Sequence, residues 1–156
     1  MNWQGVCRKP ELQDLQYRIE LNGLGQIVMT PTSNEHSFRQ SRVMKEMMSR
    51  MGTGLVLPGC AMETNDGTKV ADVAWLSDGF YSEHGLASPY PTVPEICIEV
   101  LAPANTSEEM DNKRSLYFAN GAKEVWFCLE GGRMEFFSFL GKLDKSDLVP
   151  EFPVEV

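Results

Sequence analysis

Long apolar runs are missing from the sequence. Nowhere among its 156 residues does a stretch approach the roughly 20 apolar residues of a membrane span. The opening MNWQGVCRKPELQ has no apolar core followed by a small-residue cleavage site, so a cytoplasmic protein is expected. Cysteine is sparse and scattered: Cys7, Cys60, Cys97 and Cys128 form no CxxC pair, which removes zinc-ribbon and thioredoxin-like readings. Cys97 and Cys128 lie in apolar strand-like runs and read as reduced core residues. No phosphate-binding Walker loop and no serine or cysteine triad can be assembled, and NGLGQ lacks both the spacing and the following helix of a dinucleotide fingerprint. Positive charge is also short. With 14 Lys and Arg against 22 Asp and Glu the formal charge is −8, unfavourable for binding a phosphate backbone, which rewards basic surfaces. A nuclease whose acids are offset by metal or confined to one face stays compatible with that total.

What is present suffices for one core. An apolar fraction of 42% with 10% aromatics fits a single domain spanning residues 1–156. After a short amphipathic opening around PELQDLQ, YRIELNGLGQIVMTP reads as a β-hairpin. Ser33 is a candidate N-cap for a helix in which Met44, Met47, Met48 and Met51 recur at helical spacing, a stripe read as core filler rather than a binding groove. LVLPGCAMETNDGTKVADVAWLS reads as two strands joined at Asn65-Asp66-Gly67. The Gly-, Pro- and Ser-rich DGFYSEHGLASPYPTVP is taken as a long loop. EICIEVL is the third strong strand. A helix follows with a Thr106-to-Glu109 capping box and a stop at Gly121. KEVWFCLEGGRMEFFSFL makes a second hairpin across Gly131-Gly132, and the proline-bearing C-terminal segment suits an edge or a wrap. The order implies an α+β (mixed α/β) fold, a mixed central sheet flanked by helices.

Two acids sit where strands should be apolar. The period of two places Asp72 on the face of Val70 and Ala74, and Glu99 on the face of Cys97 and Leu101. A buried carboxylate must pair, bind a metal or take up a proton. A divalent cation shared by both acids is the economical explanation, because magnesium needs few protein ligands. The alternative is purely structural: Glu99 in a buried ion pair with Lys113, and Asp72 capping a turn or facing solvent. At ~100° per residue, Met110, Lys113 and Tyr117 share one helical stripe on the face toward the sheet, where Lys113 either snorkels its charge outward or turns back to approach Glu99. On the earlier helix, the methionine stripe extrapolates back to Ser37 and Gln40 with His36 at its edge, and Glu35 falls on the far side. His36 either joins a site or closes the first turn. His84 is assigned no role.

Taken together, YRIELNGLGQIVMTPTSNEH, KVADVAW, PEICIEVLAPANTSEEMDNKRSLYFANGAKEVWFCLE and SDLVPEFPVEV resemble the Uma-two family of bacterial proteins, grouped with the restriction-endonuclease-like PD-(D/E)xK superfamily. The resemblance runs from about residue 15 onward, and EVLAPANTSEEMDNKRSLYFANGAKEVW is its most specific part. It implies a restriction-endonuclease-like core and metal-assisted hydrolysis of phosphodiester bonds, with nucleic acid, DNA above all, as substrate. Asp72 and Glu99 would be the two signature acids and would hold Mg2+ or Mn2+, with the Val100 carbonyl as a further ligand. Leu101 stands where the superfamily lysine normally falls, and the family's lysine, drawn from the next helix, matches Lys113. His36 matches the histidine after the family's SPTS segment, here TPTS, and would assist substrate or metal positioning. Ala71 in place of the signature proline, Glu130 after Leu129 where the family often has Asp-Pro, and the acidic total are departures.

Two other functions stand beside the endonuclease. One is a catalytically inactive nuclease-fold module for binding or oligomerisation, favoured by the acidic charge and the aromatics of FYSEHGLASPYP, for which a homo-oligomer would be expected. The other is a phosphohydrolase acting on nucleotides or other small molecules with the same metal site.

Overall fold

The computed structural model describes residues 1–156. A short helix α1 (Trp3–Cys7) and a 3-10 turn (Pro10–Leu12) replace the expected amphipathic opening. Strands β1 (Tyr17–Leu21) and β2 (Ile27–Pro31) then form the expected hairpin, a two-stranded antiparallel sheet. Helix α2 (Asn34–Arg50) starts at Ser33, whose hydroxyl accepts the His36 amide at 3.1 Å. Its buried face is centred on His36, Val43 and Met47. The methionine stripe is therefore only partly core: Met44 and Met51 are half-buried and Met48 is exposed, because the helix rests on the sheet along a face turned toward His36.

Six strands make the main sheet: β3 (Leu55–Thr64), β4 (Gly67–Leu76), β5 (Ile96–Val100), β6 (Glu124–Cys128), β7 (Met134–Ser138) and β8 (Gly141–Leu143), in that spatial order. All neighbours are antiparallel except β5 and β6, which are joined by the crossover helix α4 (Ser107–Ala119). The small β8 was not expected. The segment read as a long loop contains helix α3 (Asp78–His84), capped by the Ser77 hydroxyl and packed through Phe80 against Tyr90; glycine and serine content concealed it. His84 stacks beside Phe80 at 4.6 Å. In α4, Thr106 caps the Glu109 amide, but the Glu109 carboxylate takes a hydrogen bond from Asn105 instead of closing the box.

The helices cover opposite faces of the sheet. On one, Val43 and Met47 of α2 pack on Val73, Ile96, Ile98, Trp126 and Phe136. On the other, Met110 and Tyr117 of α4 pack with Cys97, Val125 and Phe127. Cys60, Cys97 and Cys128 are buried and unpaired, and burial pushes the Cys60 thiol up to about 12 and that of Cys128 to about 11, as expected of core thiols. The hairpin lies against the first half of β4. Gly67, at φ +80°, makes this possible: a Cβ there would stand 2.4 Å from the Leu21 carbonyl oxygen. Asp66 accepts the Gly23 amide at 2.9 Å from the same turn. No helix is long and apolar enough to cross a membrane.

Candidate active site

The site is made where β4 leaves its ladders. Pairing of β4 with β5 runs Trp75–Ile96, Ala74–Cys97, Val73–Ile98 and stops. One further step would set Asp72 opposite Glu99. Toward β3 the pairs Pro58–Val73 and Cys60–Ala71 leave Asp72 out as well. Its backbone groups must then find other partners: the Asp72 carbonyl accepts Gln40 Nε2 of α2 at 2.7 Å. Its carboxylate reaches into the gap, where the Val100 N–H donates to Oδ2 at 2.7 Å. Val100, expected to lend its carbonyl, thus meets Asp72 through its amide.

That in-plane position lets Asp72 touch both layers. His36 Nε2 of α2 lies 3.2 Å from Oδ1. From the hairpin side, Arg18 Nη1 lies 3.2 Å from both Asp72 oxygens and 2.6 Å from Glu99 Oε2. Glu99 is 1% exposed, and its other oxygen takes a hydrogen bond from the Tyr117 hydroxyl at 2.5 Å and lies 3.1 Å from Lys113 Nζ. Lys113 also lies 3.1 Å from Glu20 Oε2, which accepts the Val70 amide at 2.7 Å. The structure therefore brings Asp72, Glu99, Lys113 and His36 into one network. Lys113 contacts Glu99 but not Asp72; the link between the two acids is Arg18. Sequence reasoning missed Arg18, Glu20 and Tyr117.

Electrostatics divide the two acids. Burial pushes the Asp72 carboxyl up, but the hydrogen bond from His36, the charge of Arg18 and the Val100 amide outweigh it and hold it below the usual range. For Glu99 burial wins: despite Lys113 and Arg18, and with Asp72 and Glu20 nearby, its carboxyl is raised. Burial pulls the Lys113 ammonium down, yet Glu99 and Glu20 more than compensate and it is raised. Buried Glu124 offers a contrast. It accepts from the Ser146 hydroxyl and from the amides of Asp147 and Leu148, all neutral donors, and so ties the C-terminal segment to β6.

Carboxylate oxygens are hard donors suited to magnesium or manganese, and Asp72 and Glu99 already face one cationic nitrogen, so charge and donor type fit such an ion. No three His, Cys, Asp or Glu side chains are gathered as a ready-made cage. The network opens on two clefts. One of about 290 Å³ is lined by Tyr17, Arg18, Thr32, His36, Gln40 and Asp72. The other, of about 500 Å³, includes Glu20 and Lys113.

The fold is mixed α+β, a six-stranded sheet with a helix on each face and a polar network where β4 and β5 part. The fold is shared with a crystal structure described as a "putative nuclease belonging to DUF820" from Anabaena variabilis ATCC 29413, at a TM-score of 0.66 and 15% identity, covering 88% of this chain and 79% of that one. Residues 8–142 match the Uma2 family, described as "Putative restriction endonuclease", and the chain belongs to that family. No curated protein matches the sequence.

Proposed function

We propose that the protein is a metal-dependent endonuclease that hydrolyses phosphodiester bonds, with DNA as the substrate class. The observation that carries this reading is the meeting of Asp72 and Glu99 at a single cationic position, with the Lys113 ammonium 3.1 Å from Glu99. Membership of the Uma2 family supports it. Asp72, Glu99 and the Val100 carbonyl would hold Mg2+ or Mn2+, which when bound polarises a phosphate and lowers the pKa of a coordinated water.

The chain's own residues supply the rest. Tyr117 and Lys113 fix one oxygen of Glu99, leaving the other for the shared position. Lys113 is placed to orient the attacking water or to stabilise negative charge developing on the phosphate oxygens. His36 and the Val100 amide hold Asp72 ionised and turned into the gap. The test is nicking of supercoiled plasmid by purified protein with Mg2+ or Mn2+, compared with Asp72→Asn, Glu99→Gln and Lys113→Met. Wild-type nicking lost in each variant is expected. Nicking that survives all three overturns the assignment, and a wild type inert with either cation favours the non-catalytic binding module.

A further inference from the structure

Arg18 makes an unusual ion pair. A guanidinium bound to carboxylates normally presents its planar fork, two nitrogens to two oxygens. Here one nitrogen, Nη1, takes all three short contacts: both oxygens of Asp72 at 3.2 Å and one of Glu99 at 2.6 Å. The Nε–H is buried without a hydrogen-bond partner, and the nearest Glu20 oxygen is 3.9 Å away. A buried donor left without a partner is destabilising, so the fork is badly used. Nη1 sits as a point charge between a chelating carboxylate and a second acid, the place a small cation would take. Arg18 lines the 290 Å³ cleft, so open space adjoins the group.

Charge balance points the same way. Three carboxylates, Glu20, Asp72 and Glu99, face two cations, Arg18 and Lys113, with the His36 imidazole beside Asp72. With all three acids ionised and the imidazole neutral, the cluster is one negative charge in excess. Exchanging Arg18 for a divalent ion would bring it to neutrality and leave a free guanidinium beside the cleft.

We propose that Arg18 is a displaceable counter-ion: a divalent cation takes its place between Asp72 and Glu99, and the released guanidinium turns into the cleft lined by Tyr17, Thr32 and Gln40, where it binds a substrate phosphate. This rests on the metal-dependent reading above. Cation and polyanion then bind cooperatively, and by linkage each raises the other's affinity by the same factor.

The test titrates Mn2+ calorimetrically into the full chain and into Arg18→Met, with Asp72→Asn added to each to locate the site. Arg18→Met is expected to bind Mn2+ at least about 5-fold tighter than wild type, the low end of usual coupling factors, with the gain lost on adding Asp72→Asn. A fluorescent 20-base-pair duplex is expected to tighten Mn2+ binding to wild type and not to Arg18→Met. Equal Mn2+ affinity in the two proteins overturns the exchange while leaving the metal reading standing. Absence of Mn2+ binding in both overturns the metal reading and the exchange together. Equal tightening by duplex in both proteins overturns the phosphate role. If Arg18→Met does not fold, Arg18→Gln takes its place: a neutral amide puts no positive charge between the acids, and it too must bind Mn2+ more tightly than wild type or the proposal fails.

Discussion

Replacing Lys113 by methionine keeps the stem and removes the ammonium. That ammonium lies 3.1 Å from Glu20 and 3.1 Å from Glu99, and its side chain is 9% exposed. Removing one partner of a buried pair costs about 3–5 kcal/mol, because the other charge stays behind unpaired. Glu99 keeps Arg18 and Tyr117, and Glu20 keeps the Val70 amide, so the low end applies, about 3 kcal/mol. Against a typical total of ~5–15 kcal/mol the variant stays folded, with Tm lower by roughly 6–12 °C at ~2–4 °C per kcal/mol for a chain of this size. The cost must depend on pH. Burial already raises the Glu99 carboxyl, and Lys113 is the strongest opposing charge; without it the carboxyl rises further. A group whose native pKa exceeds its unfolded value of ~4.3 contributes stability that is complete below that value and lost as pH rises through the native one. The loss in Lys113→Met is therefore largest above the native pKa of Glu99 and shrinks as pH falls toward ~4.3. Urea unfolding followed by tryptophan fluorescence at about pH 7.5 and about pH 5 measures it; Trp126, fully buried against Phe136 and Phe152, is a suitable reporter. A cost below ~1 kcal/mol, the range of an exposed pair, or one equal at both pH values, would refute the argument.

Tyr117→Phe removes only the hydroxyl that donates to Glu99 at 2.5 Å. It should cost about 1.5–3 kcal/mol, the net worth of a hydrogen bond to a charged group, and a thermal melt indistinguishable from wild type would show that the bond contributes nothing. Gly67→Ala forces a side chain onto a residue at φ +80° and against the Leu21 carbonyl. A loss of more than ~1 kcal/mol in urea unfolding is expected, and because the hairpin carries Arg18 and Glu20, plasmid nicking should fall with it. Unchanged stability would mean that the hairpin does not depend on this contact.

The parts of the site that could be read from sequence are those decided within one element. Period two exposed Asp72 and Glu99 as acids on apolar strands, and the 3.6-residue period put Lys113 between Met110 and Tyr117, the three buried residues of α4. Pairing between elements was not legible in that way. Arg18 and Glu20 share one face of a two-stranded hairpin, and such a face reads as solvated until the hairpin is docked on β4 through Gly67 and the Val70 amide. Glu124 was hidden for the same reason: its donors arrive from residues 146–148, and nothing in KEVWFC announces them. Tyr117 lies on the same stripe, and a buried phenol needs a hydrogen-bond partner, here Glu99. Arg18 had an available signal. Once Asp72 and Glu99 are both judged buried, Lys113 answers only one of their charges, and the other calls for a metal, a proton or a second basic side chain. The strand that supplies Arg18 reaches the β4–β5 gap alongside α2 and α4. An arginine alternating with a glutamate on that strand meets the requirement, and it meets it with one nitrogen rather than a fork, the contact on which the proposed exchange for a cation rests.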